Sequence, residues 1–368
     1  MTDLLADMSS LQNYHTEFVR KDRLKGRKLI IPVFVPHMGC PHDCCFCNQR
    51  TISGQTEPPG EGDVRRIVKD YMAIADNYGS VEVAFYGGSF TAIPPAQQEM
   101  YLKTARDSVG GRVVPFRVST RPDCIDLSTL QLLRQYGVAT IELGAQSMCN
   151  DVLMASGRGH LAEDTVRASD LIRQESFVLG IQTMLGLPGS SKAIELDTAR
   201  RIIELKPSLV RIYPTIVLEG TELARMYSSG TYKAMDLEMA VEISAEIIPA
   251  YEKNGITVIR TGLQSSDNIS ENGKIVAGPY HPAFGELVRS RIARQWLCQQ
   301  MPDFITGTEF QQNLSFDGNR VTITFDGDRL TIYVPAKLVS QFVGQHHCNT
   351  KYIGERYGCR VCVACYDT

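Results

Sequence analysis

The densest chemistry in this 368-residue chain lies in one stretch, Gly39-Cys40-Pro41-His42-Asp43-Cys44-Cys45-Phe46-Cys47-Asn48. Three thiolates at C-x3-C-x2-C on a short loop can hold three irons of a [4Fe–4S] cluster. Electron-carrying clusters use four thiolates, so a cluster held by three leaves one iron open to a substrate or cofactor. Zinc is a competing reading, but zinc sites pair one C-x2-C with a second pair or with histidines farther on. Disulfides are another, and they suit secreted chains rather than this one. Cys45 leaves a choice of register. Cys40, Cys44 and Cys47 are taken as the metal ligands because this places the aromatic Phe46 between the last two. Cys45 is then expected to face the core.

The elements that must position this loop follow a regular plan. Short β-branched runs read as strands over Ile30–Val35, Val81–Tyr86, Val113–Ser119, Ala139–Leu143, Val178–Met184 and Leu209–Tyr213. Helical patterns lie between them over Val64–Ala75, Pro95–Ser108, Leu127–Tyr136, Ala162–Gln174 and Ala193–Leu205. Strand–helix alternation predicts parallel strands with helical crossovers. The expected fold class is α/β, a partial parallel (β/α)6 barrel like an incomplete TIM barrel. Residues 1–28 are expected to form an N-terminal helix and basic connector, 29–300 the barrel, and 301–368 a small α+β domain for which a K-homology-like fold is one reading.

In parallel β/α barrels, function sits at the C-terminal ends of the strands. The cysteine loop follows the first strand. Tyr86-Gly87-Gly88-Ser89-Phe90 follows the second, where paired glycines let a backbone approach a ligand closely. The later strands end at Ser119-Thr120-Arg121-Pro122-Asp123, Glu142-Leu143-Gly144-Ala145-Gln146-Ser147, Gln182 through Gly189, and Tyr213-Pro214-Thr215. Each alone is an ordinary turn or cap signal; their shared placement is what carries meaning.

Composition sets limits. Hydrophobic content is 43% and net charge −3, so a sizeable core is expected and nucleic-acid binding would need a local patch. The start lacks a basic segment followed by an apolar one, so no signal peptide is read. No apolar run of about 18 residues exists, so no membrane span is expected. Eleven cysteines, an odd number, without an export signal predict a reducing compartment, read as cytoplasmic.

The cysteine loop with Phe46 resembles the radical S-adenosylmethionine (SAM) superfamily. There the open iron chelates the methionine moiety of SAM, and reductive cleavage yields a 5′-deoxyadenosyl radical. The strand-end series, with Gly157-Arg158-Gly159-His160, Leu187-Pro188-Gly189, Leu218-Glu219-Gly220-Thr221-Glu222-Leu223 and Ser229-Gly230-Thr231-Tyr232, is similar to the radical domain of the Elongator catalytic-subunit family over residues 29–265. The resemblance implies a [4Fe–4S] cluster on Cys40, Cys44 and Cys47, with Phe46 beside the adenine. It implies that Gly87, Gly88 and Ser89 bind the methionine end of SAM, and that Ser119 and Gln182 face its ribose or methionine. It implies a polar pair, Gln146 and Arg158, with Arg158 offsetting the cofactor carboxylate. The Gly186–Gly189 turn would pack on adenine, and an electron donor such as flavodoxin or ferredoxin would be a partner. That family also carries a C-terminal acetyltransferase domain. The residues after 265 here are too few for that fold, so the radical half is expected and its target is left open.

In the last residues, Gly278 through Glu286 lead into a helix over Leu287–Gln299 and are read as a segment that can close over the barrel mouth, with His281 as a candidate polar group. Val321–Phe325 and Leu330–Val334 flank Asp326-Gly327-Asp328 as a hairpin. The order that follows, helix, Gly344 loop, helix and strand, is similar to the core of a K-homology (KH) RNA-binding fold, although His347 stands where that fold's second loop glycine is usual. A cap that merely packs on the barrel is the other reading. Cys348, Cys359, Cys362 and Cys365 could hold a second metal. A regular strand would, however, put Cys362 on the face opposite Cys359 and Cys365. Three functions stay open: a radical SAM enzyme acting on tRNA or other RNA, the same chemistry on a small molecule or protein, and a non-catalytic cluster-bearing RNA-binding or regulatory protein.

Overall fold

Apolar side chains recur at every second position of β1 (Lys28–Val35): Leu29, Ile31, Val33 and Val35 are buried, as strand alternation requires. The computed structural model describes residues 26–35, 44–47, 58–263, 274–301 and 309–366. The expected N-terminal helix and most of its connector, and Cys40 with them, lie outside these residues.

Six further strands join β1 in one sheet: β2 (Ser80–Gly87), β3 (Phe116–Thr120), β4 (Val138–Gln146), β5 (Val178–Leu185), β6 (Leu209–Pro214) and β8 (Thr257–Thr261), in the order β1-β2-β3-β4-β5-β6-β8. Helices fill the crossovers: α1 (Glu61–Met72), α2 (Pro95–Ser108), α3 (Leu127–Gln135), α4 (Asn150–Ala155), α5 (Ala162–Gln174) and α6 (Lys192–Glu204). Sequential parallel order with β1 and β8 as edges is the topology of an unclosed β/α barrel. The seventh strand was not expected from sequence. β8 is short and has no buried residue, so it lacks the apolar run that announces a strand. β3 begins at Phe116, not Val113, which is fully exposed; Pro115 cannot donate to a ladder and marks the start.

The described residues divide into two compact units. The first holds 26–35, 58–145 and 162–181, and the second 44–47, 146–161, 182–263, 274–301 and 309–366. In the first, a chain of charges crosses four strands. Glu82 of β2 pairs with Lys28 of β1 at 2.9 Å and with Arg117 of β3 at 2.9 Å, and Arg117 also bonds Glu142 of β4. Burial opposes the charge on Arg117, but Glu142 and Glu82 outweigh it, and its proton is held more tightly than usual. Buried charges persist when paired in this way.

The second unit continues with β7 (Val217–Leu218), α7 (Glu222–Ser228), α8 (Leu237–Lys253), β9 (Ile275–Ala277) and α9 (Phe284–Gln300). β7 and β9 pair antiparallel. A second sheet follows, of order β10-β11-β12-β13: β10 (Phe310–Phe316), β11 (Asn319–Phe325), β12 (Arg329–Val334) and β13 (Arg360–Cys365). Between β12 and β13 lie α10 (Val339–Val343) and α11 (Cys348–Tyr357), and the two strands pair parallel. The hairpin expected around Gly327 is the β11–β12 turn, while β10 was not foreseen. The core of this sheet includes Ala293, Leu297 and Met301, so it begins in α9, ahead of residue 301. No described helix is long and apolar enough to cross a membrane.

Candidate iron–sulfur and cofactor site

Cys44 to Cys47 form a tight turn, with the Cys47 N–H donating to the Cys44 carbonyl at 3.0 Å. Two neighbours pin it. The Cys45 N–H donates to the Ser156 carbonyl at the end of α4, and the Leu223 N–H of α7 donates to the Cys45 carbonyl at 2.8 Å. The Cys45 side chain is buried among Val217, Leu223 and Tyr232, with Phe46 packed against the same cluster. Cys45 therefore faces the core, as the chosen register requires. Cys44 is buried, Cys47 is half-buried, and neither is in a disulfide. Cys40 lies outside the described residues.

Arg158 reaches this turn. It is buried, and its Nη1 lies 3.5 Å from Cys44 Sγ as a donor. A guanidinium there places a hydrogen-bond donor and a positive charge beside a sulfur of the turn. Gln146 ends β4 with φ +65 and is 5% exposed, yet its Oε1 accepts no hydrogen bond among the described residues. A non-glycine residue in left-handed backbone that also buries an orphan acceptor marks a place held for something else. A thiol turn flanked by a cation, together with an unanswered acceptor, fits a cluster and a cofactor bearing N–H and O–H donors.

The turn after β5 is clamped at one residue. Glu195 Oε1 accepts from the Gly186 N–H at 2.8 Å and from Ser190 Oγ at 2.6 Å. Tyr232 Oη donates to the Gly186 carbonyl at 2.7 Å, and so links the turn to the cluster that holds Phe46. Glu195 is 2% exposed, and burial pushes its carboxyl up to about 7 against the two hydrogen bonds it accepts. Sequence reading missed Glu195 and Tyr232. A glutamate in an amphipathic helix reads as solvent-facing, and only its place shortly after Leu187-Pro188-Gly189 could have singled it out. Gln182 is half-buried on β5, and Thr215, after β6, buries a hydroxyl without a hydrogen-bond partner among the described residues.

In the first unit, Gly87 has φ +116, and a Cβ there would stand 2.5 Å from the Val35 carbonyl oxygen. Only glycine lets β2 turn this close to β1. The Gly88 N–H donates to that same carbonyl at 3.0 Å. Ser89 is buried, and its hydroxyl bonds Thr120 Oγ1 at 2.8 Å and accepts the Arg121 N–H at 3.2 Å. Its side chain thus braces the ends of β2 and β3. Arg121 in turn holds Asp123 through Nε at 3.0 Å and Nη2 at 3.1 Å. Ser119 is half-buried and shares a face of β3 with Arg117. Elsewhere, His281 Nδ1 accepts the Ala283 N–H at 3.1 Å, which stabilises its own turn. Among the described residues no group of metal-ligating side chains gathers. Cys359, Val361 and Val363 pack toward the second sheet's core while Cys362 is exposed.

Comparison with known proteins agrees with this geometry. A tRNA uridine(34) acetyltransferase of Methanocaldococcus jannaschii is 29% identical over 289 residues, which covers 65% of this chain and 53% of that protein. Elongator complex protein 3 of Homo sapiens is 23% identical over 205 residues, covering 50% of this chain and 38% of that protein. The chain spans about half the length of the curated relatives it matches. Among solved structures, the archaeal Methanocaldococcus infernus Elp3 with an N-terminal deletion aligns with a TM-score of 0.62 at 19% identity, over 83% of this chain and 82% of that one; at that identity the likeness is one of fold. Residues 34–202 match the Radical SAM superfamily, and residues 207–294 match the Radical_SAM C-terminal domain. With these two domains running head to tail along the unclosed barrel, the chain belongs to the radical SAM superfamily.

Proposed function

We propose that this radical SAM enzyme binds its cluster through Cys40, Cys44 and Cys47 and modifies a base of RNA, a transfer RNA in particular. The single observation that carries the cofactor half is the contact of buried Arg158 with Cys44. When bound, a reduced [4Fe–4S] cluster supplies the electron that breaks a carbon–sulfur bond of SAM. The residues of the chain do the rest. Arg158 offsets negative charge at the thiolates and at the carboxylate of SAM. Gln146 offers Oε1 to a donor of the cofactor. The backbone of Gly87, Gly88 and Ser89 lines its methionine end, with the Ser89 hydroxyl kept for bracing. Ser119 and Gln182 face the ribose side. Phe46 and the Gly186–Gly189 turn, held by Glu195 and Tyr232, enclose the adenine and exclude water.

The RNA half is supported by relatives named as tRNA uridine acetyltransferases and by the C-terminal order strand, helix, Gly344 turn, helix, parallel strand. That order is similar to a KH core. A small electron-transfer protein such as flavodoxin or ferredoxin would supply the electron, in the reducing cytoplasm that an oxygen-sensitive cluster needs. The test is mass spectrometry of tRNA nucleosides from cells with and without the protein. A nucleoside lost on deletion, restored by the wild type and not by Cys44→Ala, supports the reading. An unchanged nucleoside profile removes RNA as the substrate.

A further inference from the structure

Residues 218–223 and 229–232 bracket one short helix, α7, which ties the cysteine turn to the turn after β5. At its start, Thr221 caps the helix, with Oγ1 accepting the Ala224 N–H at 3.1 Å. The first N–H groups of a helix have no partner within it. The cysteine turn takes one of them: the Leu223 N–H donates to the Cys45 carbonyl at 2.8 Å. At the far end the chain folds back on the helix. The Tyr232 N–H donates to the Met226 carbonyl at 3.1 Å, and Thr231 Oγ1 donates to the same carbonyl at 3.1 Å. With its backbone fixed, Tyr232 buries its ring among Cys45, Val217 and Leu223. Its hydroxyl donates to the Gly186 carbonyl at 2.7 Å. One helix therefore grips the cysteine turn at its start and delivers a hydrogen bond to the second turn from its end.

Packing alone does not account for the polar groups involved. A phenylalanine would fill the same cluster without desolvating a hydroxyl. Glu195 is buried with no ion pair among the described residues, and burying a carboxyl in that way is costly unless its hydrogen bonds are needed. Both groups are aimed at one residue. Glu195 Oε1, on α6, accepts the Gly186 N–H, and Tyr232 Oη donates to the Gly186 carbonyl. Ser190 Oγ donates to the same carboxyl oxygen and closes the turn onto α6. Gly186 is thus held through its N–H by one element and through its carbonyl by another. We infer that Tyr232 and Glu195 are positioning residues for the adenosine portion of the cofactor. They hold the Gly186 turn in fixed relation to the cysteine turn, so that the nucleoside pocket and the cluster loop stay in register. The inference rests on the reading that this turn encloses adenine. It assigns these two residues to the nucleoside end of the cofactor and not to its methionine end.

The test uses the full-length, anaerobically reconstituted protein and two probes. S-adenosylhomocysteine carries the nucleoside but is a thioether, not a sulfonium, and methionine lacks the nucleoside. Each is titrated against the reduced cluster and followed by its electron paramagnetic resonance spectrum. Tyr232→Phe is expected to weaken S-adenosylhomocysteine binding about tenfold, the size of one hydrogen bond. Methionine affinity and iron content should stay at the wild-type level. Glu195→Ala should weaken S-adenosylhomocysteine binding by about tenfold or more, again without effect on methionine. Glu195→Gln, whose carbonyl can accept both donors, should restore most of that affinity. Should Glu195→Ala fail to take up iron, Tyr232→Phe decides alone. A role in packing only would weaken both probes by the same factor, or neither. Either result overturns the inference and leaves the cluster and SAM reading standing. Glu195→Gln as weak as Glu195→Ala overturns the part assigned to Glu195. A wild type that takes up iron but binds neither probe removes the reading of the site, and the inference with it.

Discussion

The rim of the parallel sheet and the turn between α10 and α11 both hold residues in left-handed backbone, but only one of them offsets the cost within the fold. At the turn, Gly344 has φ +75 and leaves no room for a side chain, with Cys348 Sγ 2.6 Å and the Asn349 N 2.9 Å from where a Cβ would be. Asn349 locks that turn, donating through Nδ2 to the Ser290 carbonyl at 2.8 Å, to Ser290 Oγ at 2.9 Å and to the Gln341 carbonyl at 2.9 Å. At the rim, Gln146 bears comparable strain, is buried, and leaves Oε1 unanswered. Strain matched by local bonds is architecture. Strain left unmatched in a buried place points to a ligand. Gly344 therefore owes its identity to packing, so a glycine loop there is not by itself a sign of RNA contact.

The largest effect that would separate the two regions comes from Cys44→Ala. Loss of one thiol from the turn should abolish both iron retention after anaerobic reconstitution and release of 5′-deoxyadenosine, with little change in melting temperature. Next is Asn349→Ala, which removes the two N–H groups that three acceptors share and should cost about 3 kcal/mol in thermal or denaturant unfolding. The folded fraction should release 5′-deoxyadenosine at the wild-type rate. If instead Asn349→Ala abolished that release without loss of stability, the division between architecture and site would be wrong.

Glu195→Gln should show a smaller, pH-dependent effect. The folded carboxyl titrates near 7 and its ordinary value is 4.5, so the folded state keeps a proton that the unfolded chain loses. Stability is then highest below the unfolded value and falls as pH rises to about 7, by roughly 2–3 kcal/mol. Both hydrogen bonds go to one oxygen, so a glutamine carbonyl can replace it, and Glu195→Gln should remove the decline. Unfolding measured below and above this window checks it; an unchanged slope in the variant would show that another group titrates. The smallest effect expected is from Gln146→Gly, which relieves left-handed strain and an orphan acceptor. It should stabilise the apoprotein by about 1 kcal/mol while weakening SAM binding about tenfold by calorimetry, a loss of the size expected for one hydrogen bond. Destabilisation with unchanged affinity would return Gln146 to the architecture.

Much of the barrel was legible because its signals are local. α2 and α5 begin and end where their patterns do, at Pro95–Ser108 and Ala162–Gln174. Proline at the first helical position and the apolar repeat act within one segment. The expected crossovers held for the same reason, while β8, with its half-exposed residues, gave no such repeat. The site was legible less evenly. The cysteine spacing and the Gly87–Gly88 pair announce themselves, because their chemistry is written in residue types. Ser89 did not show its bracing role, since its partners Thr120 and Arg121 lie at the end of another strand and just past it. Glu195 and the buried set Glu82, Arg117 and Glu142 were equally hidden. Which face a charged residue takes is settled only when strands and helices assemble, and a lone charge within an apolar strand was the one available hint.

The central claim is that the Cys44–Cys47 turn, with Arg158 upon it, belongs to a working SAM-cleaving site. The most direct measurement is the release of 5′-deoxyadenosine when anaerobically reconstituted protein is reduced with dithionite in the presence of SAM. Release in step with bound iron, lost in Cys44→Ala and strongly reduced in Arg158→Ala, is the result expected here. An intact [4Fe–4S] cluster that yields no 5′-deoxyadenosine, or zinc in place of iron at that turn, would contradict it.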